Sequence, residues 1–261
     1  MKLDNKILKV TITSMKTKIK VSAVQMKIGS QLKNIDRILG YIKKSSDQKS
    51  EIVCFPECSF NGNIKKPATA KDLKPILLAA RKNNIYVIIN GYFKNHKNGV
   101  SNRTYLIDNK GKITGFYDKI YPWTTEKNKI SRGEKIKVLK TPLGRIGLCT
   151  CWDLFFPDMF RQLKKLGAEL VFCPSYWNDN LKKEGVYLEY IPTCLSYTHM
   201  NYFIYCNAIL KGKTSITQIT SPWGELKKIK YREGIISAVL YSNRIIRFKN
   251  KFRAVTWGRI I

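Results

Sequence analysis

Three residues in this 261-residue chain stand where a side chain could do nucleophilic or acid–base work. Cys151, in "GLCTCWDLFFPDMFR", ends an apolar run and precedes a stretch with helical spacing. Nearby amides and a helix N-terminus there could stabilise a thiolate, the species that attacks carbonyl carbon. Glu57, in "IVCFPECSFNG", follows a four-residue apolar run and a proline, at the lip of a buried strand. A carboxylate in a low dielectric is suited to take and return protons near neutrality. Lys119, in "GFYDKIYPW", sits among aromatic residues rather than on a charged face, where a fixed cation could hold an oxyanion. Taken singly, each also has an ordinary reading: a core thiol, a solvated turn carboxylate, a snorkelling lysine. Cys149 shares the strand parity of Cys151, so only the turn position favours the latter.

These residues need strands and turns to bring them together, and the periodicity supplies both. "IKVSAVQMKIG" from Ile19 alternates as a strand, and "QLKNIDRILGYIKKS" places Leu32, Ile35, Ile38, Leu39 and Ile42 on one helical face. "EIVCFPE", the helix "KDLKPILLAARKNN" and "IYVIINGYF" continue a β-α-β-α-β series. "NRTYLIDNKGKITGFYDK" reads as a hairpin around Asn-Lys-Gly. "KVLKTPLGRIGLCTC" repeats that pattern around Pro-Leu-Gly. After Cys151, "PDMFRQLKKLG" predicts a helix with Gly167 near its C-cap, "AELVFCPS" a strand, "YLEYIPTCLSYTHMN" a helix and "YFIYCNAIL" a strand. A last hairpin turns at Ser-Pro-Trp-Gly, with "GIISAVL" behind it. The expected class is α/β, mixed sheets covered by helices.

Composition sets the outer bounds. The length suits one large domain, and no Pro-, Gly- or Ser-rich stretch divides it. Residues 1–18 read as an N-terminal extension, with Met15 as an alternative start, and 19–261 as a single domain with a basic tail from Arg244. No apolar run is long enough to span a bilayer, the first twenty residues lack a secretory apolar core, and a cytoplasmic setting is expected. Seven cysteines, mostly inside apolar segments, suggest reduced thiols. Two histidines and no paired C-x-x-C argue against structural zinc. A formal net charge of +30 invites a nucleic-acid reading. The lysines are scattered, however, with no recognised nucleic-acid signature, and a Lys-rich solvated surface is the preferred interpretation. Neither G-x-x-x-x-G-K-[ST] nor G-x-G-x-x-G occurs, so a nucleotide cofactor has no support.

Taken in order, "FPECSFNG", "YDKIYPW" and "CWDLFFPDMFRQLKKLGAEL" resemble the three signature regions of the nitrilase superfamily, carbon-nitrogen hydrolases with a Glu-Lys-Cys triad. The resemblance runs from about Ile19 to about Leu240 and includes "VSAVQ" and "CNAILKGKTSITQITSPWGEL". It implies a four-layer α-β-β-α sandwich, with Glu57 as general base, Lys119 as oxyanion-stabilising lysine and Cys151 as nucleophile. The Trp152 backbone N–H would complete the oxyanion site. A second family glutamate falls on Glu126, with Glu134 as the competing candidate. The resemblance further implies pairing through the helical layers into a homodimer or larger assembly, and no metal or organic cofactor.

The implied activity is that of a cysteine amidohydrolase cleaving a small linear amide or N-carbamoyl amine through a thioester. The alternatives are a nitrilase proper and a silent member that binds acidic partners. "CWDLFFPD" is more like carbamoyl- and amide-cleaving members than nitrilases proper, which often carry Trp-Glu there. Tyr176 and Trp177, after "FCPS", are candidate pocket walls. The chain departs from the family in "SYTHMNYFIYCNA", which lacks the usual Arg and Glu-Asn. It departs again in the short loop "NGNIKKPATAKDL", which predicts a more open mouth.

Overall fold

A computed structural model describes residues 14–177, 187–210, 212–213 and 215–251. The first half of the chain lays down β1 (Lys18–Gln25), α1 (Gln31–Asp47), β2 (Ile52–Cys54), α2 (Lys74–Lys82) and β3 (Tyr86–Lys94). Their three strands are parallel, as short crossover helices require. β4 (Val100–Ile107) and β5 (Ile113–Asp118) then return as antiparallel strands.

The second half begins with an antiparallel pair, β6 (Val138–Thr141) and β7 (Gly144–Leu148). α3 (Pro157–Lys165), β8 (Leu170–Ser175), α4 (Tyr187–His199) and β9 (Tyr202–Asn207) follow, with β7, β8 and β9 parallel. β10 (Ile216–Ser221) and β11 (Gly224–Lys230) form the last hairpin. β12 (Gly234–Tyr241) crosses back to pair antiparallel with β1, and α5 (Ser242–Lys251) follows it. The result is two six-stranded sheets, ordered β12-β1-β2-β3-β4-β5 and β11-β10-β9-β8-β7-β6.

Strand parity shows how the layers stack. Ile52, Cys54 and Ile88 join a core shared with Ile146, Leu148 and Phe172 of the second sheet, while Val53, Val87 and Ile89 face Ile38, Ile42, Ile76 and Ala80 of α1 and α2. Phe160 of α3 meets Phe203 of β9, with ring centroids 5.9 Å apart on the other outer face. The architecture is therefore a four-layer α-β-β-α sandwich. Strands buried on both faces read as unbroken apolar runs, which is why "EIVCF" and "ELVFC" carry no alternation. The two sheets also touch directly through Cys206, whose thiol lies 3.4 Å from the Cys54 carbonyl oxygen.

Three local features depart from the sequence pattern. The buried stripe of α1 is Asn34, Ile38, Ile42 and Ser45, whereas Leu32 is 79% exposed. At 100° per residue Leu32 lies about 120° around the helix from Ile38, so its apolar side faces away from the sheet. Asn34 takes the inward place instead, because its amide closes the entry turn by accepting from Gly29 N–H at 2.8 Å. Pro192 sits inside α4, where its missing N–H leaves the carbonyl four residues earlier unpaired. The Gln218 side chain donates to that Leu188 oxygen at 2.9 Å. The basic tail from Arg244 forms part of α5, anchored by buried Ile245 and by Phe248 edge-on to Tyr197.

Ser14 N–H and Oγ–H both donate to the Glu169 carboxylate, at 2.9 and 2.8 Å, and Met15 is buried. Residues 1–13 of the expected extension lie outside the described residues, as does the tail beyond 251.

Candidate active site

Three chain segments converge at the C-terminal ends of β2, β5 and β7. After β2, Phe55 N–H still pairs with Ile88 O of β3, and then Pro56 breaks the ladder. Cys58 adopts a left-handed backbone, φ +60°, and its N–H donates to Asn90 Oδ1 at 2.8 Å. That turn leaves Glu57 pointing inward, 4% exposed.

After β5, Lys119 N–H donates to Asn102 O at 2.9 Å and Lys119 O accepts from Gly133 N–H at 2.9 Å. A Cβ on Gly133 would stand 2.0 Å from Asp118 O, so only glycine permits this approach. Arg103 holds the end of β5 by a two-pronged pair with Asp118, at 2.6 and 2.8 Å.

After β7, Thr150 leads into a 3₁₀ turn, Cys151–Phe155, closed by a capping box with Asp153. Cys151 itself is in the left-handed region, φ +48°. A non-glycine residue held there stores strain of about 1–3 kcal/mol, and such residues cluster at functional sites.

The side chains meet at hydrogen-bond distance. Lys119 Nζ donates to Glu57 Oε1 at 2.9 Å and to Glu126 Oε2 at 2.8 Å, and all three groups are buried. Asn102 Nδ2 donates to Glu57 Oε1 and to Glu126 Oε1, each at 2.7 Å, placing one amide N–H on each carboxylate. Glu126 also accepts from Tyr92 OH at 2.9 Å and from Trp123 N–H at 2.8 Å. Glu57 Oε2 accepts from Tyr176 N–H at 2.9 Å, which ties the first sheet's carboxylate to the end of β8 in the second.

Burial and charge set the protonation states. Burial disfavours the Lys119 charge, yet Glu57 and Glu126 outweigh it, and its pKa lies well above the ordinary lysine value. Burial raises Glu126, but Lys119 with the Asn102 and Trp123 donors brings it below the usual carboxylate value. Burial pushes the Cys151 thiol well up, with Glu57 adding to the rise, while Lys119 and hydrogen bonds from Ser175 and Tyr176 oppose it. Burial thus favours the neutral thiol of Cys151 at rest, so a thiolate forms there only as a proton is taken from it.

Glu57, Lys119, Glu126 and Cys151 border one cavity of about 1060 Å³, lined also by Trp152, Tyr176 and Trp177. Of the two competing glutamates, Glu126 reaches Lys119, whereas Glu134 is exposed and pairs with Lys97 at 2.8 Å. Trp152 packs edge-on to Trp123, centroids 4.3 Å apart, and against Trp177 at 5.7 Å, so the cavity has an aromatic wall.

Sequence reasoning passed over Asn102, Asn90, Tyr92, Tyr117 and Asp153. Asn90 Nδ2 donates to Asn102 Oδ1 at 2.8 Å and to Thr104 Oγ1 at 2.9 Å, and Thr104 Oγ1 meets Thr150 Oγ1 at 3.0 Å. This buried relay joins the carboxylates to the residue before Cys151. The signal was present in β4, whose "SNRT" run is polar but wholly buried; buried polar groups must be partnered.

Fold and site together define an α-β-β-α sandwich holding a buried carboxylate, ammonium and thiol around one cavity. The carbon-nitrogen hydrolase family model matches residues 20–189. The chain belongs to that family. It is 26% identical over 166 residues to an (R)-stereoselective amidase from Pseudomonas sp, covering 60% of each chain. It is 21% identical over 250 residues to the human omega-amidase NIT2, covering 87% of this chain and 88% of that one. Across several of the curated relatives it matches, the chain spans between 41% and 65% of their length. Among solved structures, Saccharomyces cerevisiae Nit3, a member of branch 10 of the nitrilase superfamily, superposes with a TM-score of 0.85 at 19% identity, covering 95% of this chain and 98% of that one. A Nesterenkonia sp. AN1 amidase, as a double mutant in complex with acrylamide, gives a TM-score of 0.79 at 16% identity, covering 93% and 98%.

Proposed function

We propose that the chain is a cysteine amidohydrolase that cleaves a non-peptide C–N bond of a linear amide or N-carbamoyl amine and releases ammonia or an amine. The observation that carries this reading is the convergence of Glu57, Lys119 and Cys151 on one cavity, with the Lys119–Glu57 contact at 2.9 Å.

Because the resting thiol is neutral, its proton must leave as the bond forms. Glu57 takes it at Oε2, and Cys151 Sγ bonds to the amide carbon while the carbonyl electron pair moves to oxygen. An ammonium has three N–H bonds; two of those on Lys119 serve Glu57 and Glu126, and the third serves the oxyanion with the Trp152 backbone N–H. Glu57 then gives its proton to the departing nitrogen as the C–N bond breaks, leaving a thioester. The same carboxylate takes a proton from water, hydroxide adds to the thioester carbon, and the acid leaves as the thiol is restored. Glu126 stays ionised and keeps Lys119 cationic and in place, so its role is positioning.

Seven free cysteines fit a reducing, cytoplasmic setting. Pairing through the helical layers is supported by exposed Tyr190 and Tyr197 on α4 and exposed Leu166 after α3.

The test is ammonia release from a panel of amides, N-carbamoyl amines and nitriles, with Cys151→Ala alongside and intact mass to trap the acyl adduct. Thiol-dependent turnover of amides or carbamoyl compounds with an adduct is expected. Turnover of nitriles alone would reassign the chain as a nitrilase. Absence of turnover and adduct, with salt-sensitive binding of acidic partners, would make it a silent binding member.

A further inference from the structure

The cavity is larger than the reaction needs. A volume of about 1060 Å³ lies at the upper end of small-molecule pockets, and an amide group fills only a small part of it. What the remainder holds is set by its rim, where Lys65, Lys66 and Lys213 line the opening. Among the described residues, the carboxylates lining the cavity are Glu57 and Glu126, at its floor and both bound to Lys119.

The lysine pair is carried by a built turn rather than a slack loop. Tyr92 N–H of β3 donates to Asn61 O at 2.9 Å, and Asn61 Nδ2 donates to Lys66 O at 2.9 Å. Asn61 Oδ1 accepts from Asn63 N–H at 3.0 Å, and Asn63 Oδ1 accepts from the N–H groups of Lys65 and Lys66 at 3.0 and 3.2 Å. Two nested asparagine turns thus fix both lysines at the rim. Among the described residues, neither Lys65 nor Lys66 forms an ion pair with a carboxylate. α1 begins at the same rim with Ser30 and Gln31, and its first turn carries no acidic residue.

Resting on the amidohydrolase reading, we propose that this rim is a subsite for an anionic group at the far end of the substrate's acyl chain. The floor carries two carboxylates against one ammonium and repels an anion; the rim attracts it. The charge gradient therefore orients the substrate, amide carbon toward Cys151 and anion toward Lys65, Lys66 and Lys213, with the acyl chain along the aromatic wall of Trp152 and Trp177. Lysine ammoniums act as point charges, so a carboxylate and a phosphonate are both suitable probes.

The experiment compares kcat/KM for three matched amides of equal chain length, ending in a carboxylate, a phosphonate or a neutral second amide. Either anion is expected to exceed the neutral amide by roughly tenfold or more, with the advantage shrinking as salt is added. In the Lys65→Glu/Lys66→Glu variant the ratio of anionic to neutral kcat/KM should fall by at least that factor. A ratio near one in the native enzyme, or an unchanged ratio in the variant, overturns the subsite. Should none of the three amides be hydrolysed, cleavage of linear amides fails separately. The subsite is then decided by calorimetric titration of the carboxylate amide into the native chain and the charge-reversed variant. A clearly weaker Kd in the variant supports it, and equal or undetectable binding in both overturns it.

Discussion

The turn after β2 and the turn after β7 are built alike and charged differently. Each follows a buried strand of one sheet with a residue in the left-handed region, Cys58 at φ +60° and Cys151 at φ +48°. Each is fixed by a side-chain acceptor on a backbone N–H: Asn90 for Cys58 at 2.8 Å, Asp153 for Thr150 at 2.8 Å. The first turn, however, delivers Glu57 into a buried cluster with Lys119 and Asn102, each donating to its Oε1. The second delivers a neutral thiol, steadied by a buried carboxylate that bonds the backbone. One sheet supplies the electrostatics and the other the proposed nucleophile, and sheet-to-sheet packing sets the gap between them. Preorganised charge stabilises the transition state without rearrangement, so only the thiol proton need move.

Removing the proposed nucleophile breaks the comparison outright. Cys151→Ala should lower kcat by about 10⁴-fold or more, while thermal unfolding moves by less than about 1 kcal/mol of stability, since the charged half is untouched. Removing the cation acts on both activity and fold. Lys119→Met leaves Glu57 and Glu126 facing each other without a counter-charge, and breaking such a buried pair costs about 3–5 kcal/mol. Turnover should fall about 10³-fold, and urea titration should show the stability loss that Cys151→Ala lacks. Equal stability in the two variants would contradict the division of labour between the sheets.

Asn102 sharpens the comparison, because both of its amide N–H bonds serve the charged half. Asn102→Asp keeps the shape but replaces two N–H donors with a third carboxylate beside Glu57 and Glu126. A drop of roughly 10- to 100-fold in kcat is expected, with the pH dependence of the rate displaced and a smaller loss in Asn102→Ser. A rate and pH profile like the native enzyme's would remove Asn102 from the positioning of the carboxylates.

Much of this was legible in the sequence, for physical reasons that also mark where legibility stopped. The parallel strands announced themselves because burial on both faces makes an unbroken apolar run, and Gly167, at φ +80°, took its place after α3 as a C-terminal glycine should. Glu57, Lys119 and Cys151 were readable because each stands at a strand end, where a turn exposes a side chain to a cleft. Leu32 misled because periodicity locates a stripe less sharply than the sheet beneath it. Asn102 and Asp153 stayed hidden because their roles are pairwise. A buried amide or carboxylate is explained only by its partners, which lie 45 residues from Asn102 at Glu57 and 36 from Asp153 at Tyr117.

The smallest expected effect concerns Asp153, the counterpart in the thiol half of the charges in the other. Its Oδ2 accepts from Thr150 N–H at 2.8 Å and Tyr117 OH at 2.7 Å, and its Oδ1 from Tyr121 N–H at 3.1 Å. Complete burial pushes its pKa up from 3.8 to about 6 despite those donors. Between those values the folded state therefore binds more protons than the unfolded one, and this group makes stability fall as pH rises from about 4 to about 6. Asp153→Asn cannot ionise, so its unfolding free energy should lack that part of the slope. Turning its oxygen toward Thr150 and Tyr117 leaves the amide nitrogen facing Tyr121 N–H, a lost bond of about 1 kcal/mol at the lysine loop. Cys151 keeps its turn, and kcat should fall by only about 3- to 10-fold. Urea titrations at pH 4 and pH 6 separate the two effects. An identical pH slope in native and variant would mean that the carboxylate ionises normally, and that the thiol half is held by geometry alone.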